Sequence, residues 1–354
     1  MAFSVANAPL KVCKPQGARA RSSRAVVRVA CSSEKQSEVS FNRRDAFVAA
    51  GGLIATSSLI APEASLAKLE ITLKKENLSA PQIKELRQAM QKRAEQNLAM
   101  VLTYQDNADA LRLLINDAGT YDIVTKTGGL NGSIILEEEL NRPENVALKP
   151  YVAKLKQGKD VIDKESIEAG QGPISWTDVI VLGAKVTTQL KWLEAKKKTT
   201  GGDESSAMIL STAFGTAFPI TIGRADATEP SPAGRIPQPD ASVDEIAEFF
   251  RRLGNRNPDQ ERGYLTPRPP FWERPAFLLY TAACADPAAV EEDWTKADPE
   301  KFQTWKAKYD KSRRTVTRTD YEVDFVEFFT RLANLGTTFD KLAYLKDLSL
   351  SVKT

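Results

Sequence analysis

From Ser79 onward the chain is divided into stretches that open on helix-start signals, and no run sustains the period-two alternation of a half-buried strand. Ser79-Ala80-Pro81 starts the first stretch. It carries apolar residues at helical spacing (Ile83, Leu86, Met90, Leu98, Val101, Leu102) and continues to about Ala118, with a break at Asn107 or Asp109. Ser175-Trp176-Thr177-Asp178 and Ser242-Val243-Asp244-Glu245 read as capping boxes, and Gly254 suits the left-handed position that closes the second of these helices. Asp286-Pro287 and Asp298-Pro299 place proline at a first helical position. Asp320 caps a further helix, which Gly336 ends. Polar Gly/Pro segments at 125–133, 199–206, 226–240 and 255–270 lie between them. These signals predict one mostly α domain with long loops and no internal repeat.

Composition then narrows the chemistry. Among 354 residues there is no histidine. That excludes His-based triads, His general bases and zinc sites built from Cys and His. The cysteines are Cys13, Cys31 and Cys284, so the chain beyond residue 67 keeps one thiol and forms no internal disulfide. The net charge of +3 is uneven: residues 1–67 hold nine Lys/Arg and four Asp/Glu, which leaves 40 basic and 42 acidic residues in the remainder. That remainder has no basic excess of the kind nucleic-acid binding needs.

The basic excess sits in two consecutive targeting patterns. Residues 1–33 are rich in Ser, Ala and Arg and free of acid, the composition of an organelle transit peptide. In residues 34–67, Arg43-Arg44 precede an apolar stretch at 46–60 and a small-residue site at Ser65-Leu66-Ala67, the pattern of a twin-arginine signal. The apolar stretch is shorter than the ~20 residues of a membrane span. A transit peptide followed by a twin-arginine signal resembles the bipartite leader of thylakoid-lumen proteins. The expected organisation is therefore a chloroplast transit peptide (1–33), a lumenal targeting signal (34–67) and a mature domain (68–354) with no transmembrane segment, peripheral to the thylakoid membrane.

The mature part resembles the class I haem peroxidases, above all the ascorbate peroxidases. Residues 111–140, LRLLINDAGTYDIVTKTGGLNGSIILEEEL, look like that family's active-site helix and the loop after it. Further blocks follow in order: Glu144-Asn145-Val146-Ala147-Leu148, ISWTDVIVLGA (174–184), PITIGRADATEPSPAGRIP (219–237) and, more weakly, YEVDFVEFFTRLANLG (321–336). The resemblance implies a haem-peroxidase-like, mostly helical fold over about residues 79–340.

The departures bear on activity. The family places Arg, Trp and His above its haem, the His as proton shuttle and the Arg as charge stabiliser. Arg112 matches the Arg, Ile115 stands at the Trp position and Asn116 at the His position. An amide has no useful proton equilibrium near neutral pH, so Asn116 is no general base. Asn145, whose counterpart bonds that His, is expected to be left unpartnered. The helix that carries the family's iron-ligating His is replaced here by NRNPDQERGYLTPRPPF (255–271), so the proximal helix region is expected to be missing or rebuilt. Trp272 and Asp286 stand near the family's proximal Trp and Asp.

Several features admit two readings. Arg112 either binds an anion or pairs within the fold. TGGLNGS (127–133) lacks the Gly-Lys-Ser/Thr ending of a phosphate loop and reads better as a tight turn. Lys196-Lys197-Lys198 and Glu137-Glu138-Glu139 are docking charges or solvated helix faces. Cys284 is a redox thiol, a haem thiolate or a small buried hydrophobe. Phe249-Phe250 and Phe328-Phe329 read as core. PRPPFWERP (267–275) either fills the space of the missing helix or presents aromatics to a partner.

The resemblance implies a non-catalytic pseudo-peroxidase of the thylakoid lumen, associated with the lumenal side of photosystem II, with no cofactor expected. The alternative is a haem-dependent ascorbate peroxidase that removes hydrogen peroxide with a non-histidine iron ligand. A third reading is a small-molecule binder that kept the pocket, which Ile115 fills less than Trp would.

Overall fold

The computed structural model describes residues 27–29, 37–39, 68–215, 218–254, 273–297, 299–313 and 320–353. The described residues fall into two units: one within 73–347, and one made of those within 1–72 together with 348–353. The second unit contains short strands β1 (Val27–Val29), β2 (Ser37–Val39), β3 (Lys68–Leu73) and β4 (Leu348–Lys353) in the sheet order β2-β1-β4-β3. β1 runs antiparallel to both β2 and β4. The remaining residues of the two expected targeting segments lie outside the described residues.

The larger unit is helical, as the punctuation predicts. Its helices are α1 (Ala80–Val101), α2 (Asn107–Gly119), the single turn α3 (Glu137–Leu140), α4 (Lys149–Glu168), α5 (Trp176–Thr199), α6 (Glu204–Gly215), α7 (Val243–Gly254), α8 (Glu273–Ala282), α9 (Pro287–Ala297), α10 (Pro299–Arg313) and α11 (Asp320–Leu332). The caps at Ser79 and Ser242 act as read. The Ser79 backbone N–H donates to Gln82 Oε1 (2.9 Å), and the Ser242 N–H donates to Glu245 Oε2 (2.7 Å). The expected break after α1 falls at residues 102–106, and α2 begins at Asn107.

Four helices go beyond the sequence expectation: α3, α4, α6 and α8. α4 crosses α1 closely because Gly158 has no side chain; a Cβ there would stand 3.0 Å from Leu98 Cδ2. α2 packs on α5, and α8 packs on both α2 and α11. This last arrangement positions the candidate site, because α8 covers the face of α2 that carries Arg112. No helix among the described residues is long and apolar enough to cross a membrane. The expected change in the proximal region falls on residues 255–272, outside the described residues.

Candidate functional site

α2 is nearly surrounded. Leu111, Leu113, Leu114, Ile115, Asn116 and Asp117 are all buried, and Arg112 is half-buried. The Arg112 guanidinium lies over the Tyr280 ring, 4.9 Å from its centroid, and Nη2 donates to Cys284 Sγ at 3.5 Å. The Cys284 thiol in turn donates to the Tyr280 carbonyl (3.2 Å). Tyr280 and Cys284 are four residues apart, so the helical path of α8 brings both to one face. Burial pushes both the Tyr280 hydroxyl and the Cys284 thiol above their ordinary values, and the Arg112 cation pulls each of them down.

One turn along α2, Asn116 Nδ2 donates to Asn145 Oδ1 (2.8 Å) and to the Glu144 carbonyl (3.1 Å). Asn145 Nδ2 donates to the Glu139 carbonyl (2.9 Å). This corrects the expectation that Asn145 is unpartnered: a carboxamide offers N–H donors as an imidazole does, so the interaction survives the change of residue. It supplies no proton shuttle. Asn116 Oδ1, by contrast, is buried with no hydrogen-bond partner among the described residues.

At the end of α2, Gly119 meets α7. A Cβ there would stand 2.5 Å from Phe249 Cζ and 2.9 Å from Ile236 Cδ1. Phe249, Phe250, Tyr280 and Phe328 form a run of edge-to-face contacts, with centroids 4.9, 6.0 and 5.8 Å apart around Phe250. The Phe pairs are core, as read. Ile115 is 1% exposed and belongs to the hydrophobic core. A surface cleft of about 430 Å³ lies beyond Gly119, lined by Arg235, Pro237, Glu245, Phe249 and Arg252.

The glycine loop is organised by Asp117. Its carboxylate accepts the backbone N–H groups of Asn131 (3.1 Å), Gly132 (2.8 Å) and Ile134 (3.2 Å). Those donors are thus engaged within the fold, which supports the turn reading over a phosphate cradle. Burial raises the Asp117 carboxyl to about 7 against the pull of these bonds. Glu139, from the acidic run, is buried rather than solvated, and its Oε2 accepts the Ser231 N–H (2.8 Å). In the lysine run, Lys196 is buried beside Glu322 (3.3 Å) and Lys197 pairs with Glu204 (2.8 Å), which removes two of its three charges from a docking face.

Asp178 has different work from that expected. The Ser175 hydroxyl accepts the Asp178 N–H (3.1 Å), but the Asp178 carboxylate leaves the capping box. It binds Arg224 Nη1 (2.7 Å), the Gly223 N–H (2.6 Å) and the Tyr344 hydroxyl (2.7 Å). Asp226 caps α5 in its place, accepting the N–H groups of Trp176 (2.7 Å) and Thr177 (2.8 Å). Asp286 caps α9 through the N–H groups of Ala288 and Ala289, an exposed structural role.

These residues do not fit a haem. The chain has no histidine, and no cluster of three or more potential metal ligands occurs among the described residues. Cys284 is the one thiol beyond residue 67, but it touches Arg112. A peroxidase needs its iron ligand and its peroxide-stabilising Arg on opposite faces of the macrocycle, and nothing can pass between two groups in contact. Tyr280 packs against the same guanidinium.

A peroxidase family model matches residues 82–260. The chloroplastic thylakoid lumenal 29 kDa protein of Solanum lycopersicum is 33% identical over 322 residues, covering 88% of this chain and 85% of that protein. The protein of the same name in Arabidopsis thaliana is 37% identical over 240 residues, 66% of this chain and 63% of that protein. Putative L-ascorbate peroxidase 6 of Arabidopsis thaliana is 31% identical over 160 residues, 45% and 40% of the two chains. The crystal structure of the TL29 protein from Arabidopsis thaliana superposes with a TM-score of 0.64 at 33% identity, covering 74% of this chain and 99% of that one.

Proposed function

The chain belongs to the peroxidase family, as a peroxidase-like protein of the chloroplast thylakoid lumen, and from that premise we propose that it is a non-catalytic member with a binding or structural role at the lumenal side of photosystem II. One observation supports the loss of activity: the Arg112 guanidinium rests on Tyr280 and donates to Cys284, so it is engaged within the fold. Asn116 adds to it, since an amide neither takes nor returns a proton near neutral pH. No haem is part of this reading.

The photosystem II partner rests on the likeness to lumenal relatives, not on a feature of the surface. Removal of residues 1–67, as a transit peptide and a twin-arginine signal, belongs to the same proposal. The mature protein is then peripheral. It should co-purify with photosystem II membranes and be released by a salt wash. Recovery wholly in the soluble lumenal fraction at low salt would contradict the partner. For the loss of activity, hydrogen peroxide turnover with ascorbate is measured in the presence of hemin. The expected rate equals that of hemin alone; a rate that saturates with protein concentration would contradict it.

A working ascorbate peroxidase requires an iron ligand and a proton shuttle to be replaced together. The contact between Cys284 and Arg112 counts against the thiolate as that ligand.

A further inference from the structure

Two acids are buried where α2, the glycine loop, α3 and the segment at 225–237 meet. Asp117 and Glu139 are both 0% exposed. Asp117 accepts three backbone N–H groups of the glycine loop. Glu139 Oε2 accepts the Ser231 N–H, but Oε1 has no hydrogen-bond partner among the described residues. Among those residues the one cation within 4.0 Å of either carboxylate is Arg142, which Glu138 also shares (3.8 Å). Arg235 is turned to the Thr120 carbonyl (2.7 Å) and to Asp122 (3.7 Å). Glu144 and Asp226 only add negative charge. Glu144 acts on Glu139, and Asp226 Oδ1 stands 3.1 Å from where a Cβ on Gly132 would lie. Two buried carboxylates against one shared guanidinium leave a charge uncompensated, and a carboxyl so placed keeps its proton.

Ser231 joins the segment at 225–237 to both acids. Its N–H donates to Glu139 Oε2 (2.8 Å), and its carbonyl accepts from Arg142 Nη2 (2.6 Å). Its hydroxyl lies 2.7 Å from Ser133 Oγ. The N–H groups on either side of Ser133, at Gly132 and Ile134, are bound by Asp117. Every polar group of Ser231 is thus engaged at this junction.

We propose that Asp117, Glu139 and Ser231 form a proton-operated latch: while the two acids hold one proton between them, Ser231 is fastened to α3 and the glycine loop, and when that proton leaves, the segment comes free. Burial raises both carboxyls, and the Glu139 charge raises Asp117 further, to about 7, against the pull of the loop N–H groups. The folded values lie above the ordinary ones near 4, so the closed latch is favoured at acid pH and is lost as pH rises through about 7. The freed segment includes Gly234 to Gln238, one wall of the cleft whose other wall is α7. The shape of that cleft therefore follows pH.

Hydrogen exchange of the purified full chain tests the latch, read by peptide-resolved mass spectrometry from pH 5 to pH 8 and divided by the intrinsic rate at each pH. Peptides covering 129–134 and 227–233 should exchange about tenfold faster per pH unit up to about 7 and level off above it. At pH 8 they should exchange well ahead of α5, whose buried amides open only with the whole fold. Glu139→Gln leaves one carboxylate for one guanidinium and should hold both peptides at pH 8 near their pH 5 protection. Protection of α5 at pH 5 reports that this variant is folded. Wild-type peptides whose protection does not change with pH would overturn the proposal, whatever the variant does. So would exchange at pH 8 no faster than that of α5, or a pH response that Glu139→Gln leaves intact.

Discussion

Arg224 and Asp178 form an ion pair 2.7 Å long in which both side chains are wholly buried. It joins the start of α5 to the segment after α6, and Arg224 Nε reaches on to the Ala333 carbonyl (3.0 Å). The pair therefore ties together two blocks that are far apart in sequence. Removing one partner strands the other charge in the core. Asp178→Ala should lower unfolding free energy by about 3–5 kcal/mol in urea denaturation. A loss below about 1 kcal/mol would mean that Arg224 finds another partner or reaches water.

Gly119→Ala reverses the usual sign of a helix substitution. In an open helix interior alanine stabilises by up to about 1 kcal/mol over glycine. Here the added methyl would meet Phe249 at 2.5 Å. The expected outcome is a loss of about 1–3 kcal/mol through overpacking, relieved in part by Phe249→Leu. A stabilised Gly119→Ala variant would show that α7 does not close on α2 as described.

Asp117 gives stability a pH dependence with a defined sign. Its folded carboxyl is raised to about 7, above its ordinary value near 4, so the protonated form favours the folded state. The contribution is present below about pH 4 and is lost as pH rises through about 7, by at most about 4 kcal/mol. Glu139 is raised as well, also by burial, and acts in the same direction. Melting temperature should fall between pH 5 and pH 8, and Asp117→Asn should flatten that fall. An equally steep profile in the variant would assign it to other groups.

Restoring the family's residues on α2 should not restore the chemistry. Ile115 and Asn116 are each 1% exposed, so larger or differently shaped side chains there must displace their packed neighbours. The double variant Ile115→Trp, Asn116→His should lose stability by about 1–3 kcal/mol and gain no peroxide turnover with hemin. Turnover above that of free hemin would show that α8 swings away from α2.

What the sequence disclosed follows from range. Ser79, Ser242 and Asp286 mark helix starts because a cap acts within three residues. The family blocks gave Arg112, Asn116 and Asn145 their places. α4 stayed hidden because Lys and Asp dilute its apolar positions Tyr151, Val152, Leu155 and Ile162, while Pro150 and Gly158 look like breaks. The alternation in LSLSVK marks β4 but is only six residues long. The contact that decides the site could not be read at all: Arg112 and Cys284 are 172 residues apart, and α8 carries no motif. The capping-box residue Asp178 misleads for the same reason, because its carboxylate answers to Arg224, 46 residues away.

The central claim is that the packing of Tyr280 and Cys284 on Arg112 leaves no place for a haem, and titrating the purified protein with hemin while recording absorption tests it most directly. The account predicts no stoichiometric Soret band, in wild type or in Cys284→Ala. A sharp band that saturates at one hemin per chain, and shifts when Cys284 is replaced, would contradict it.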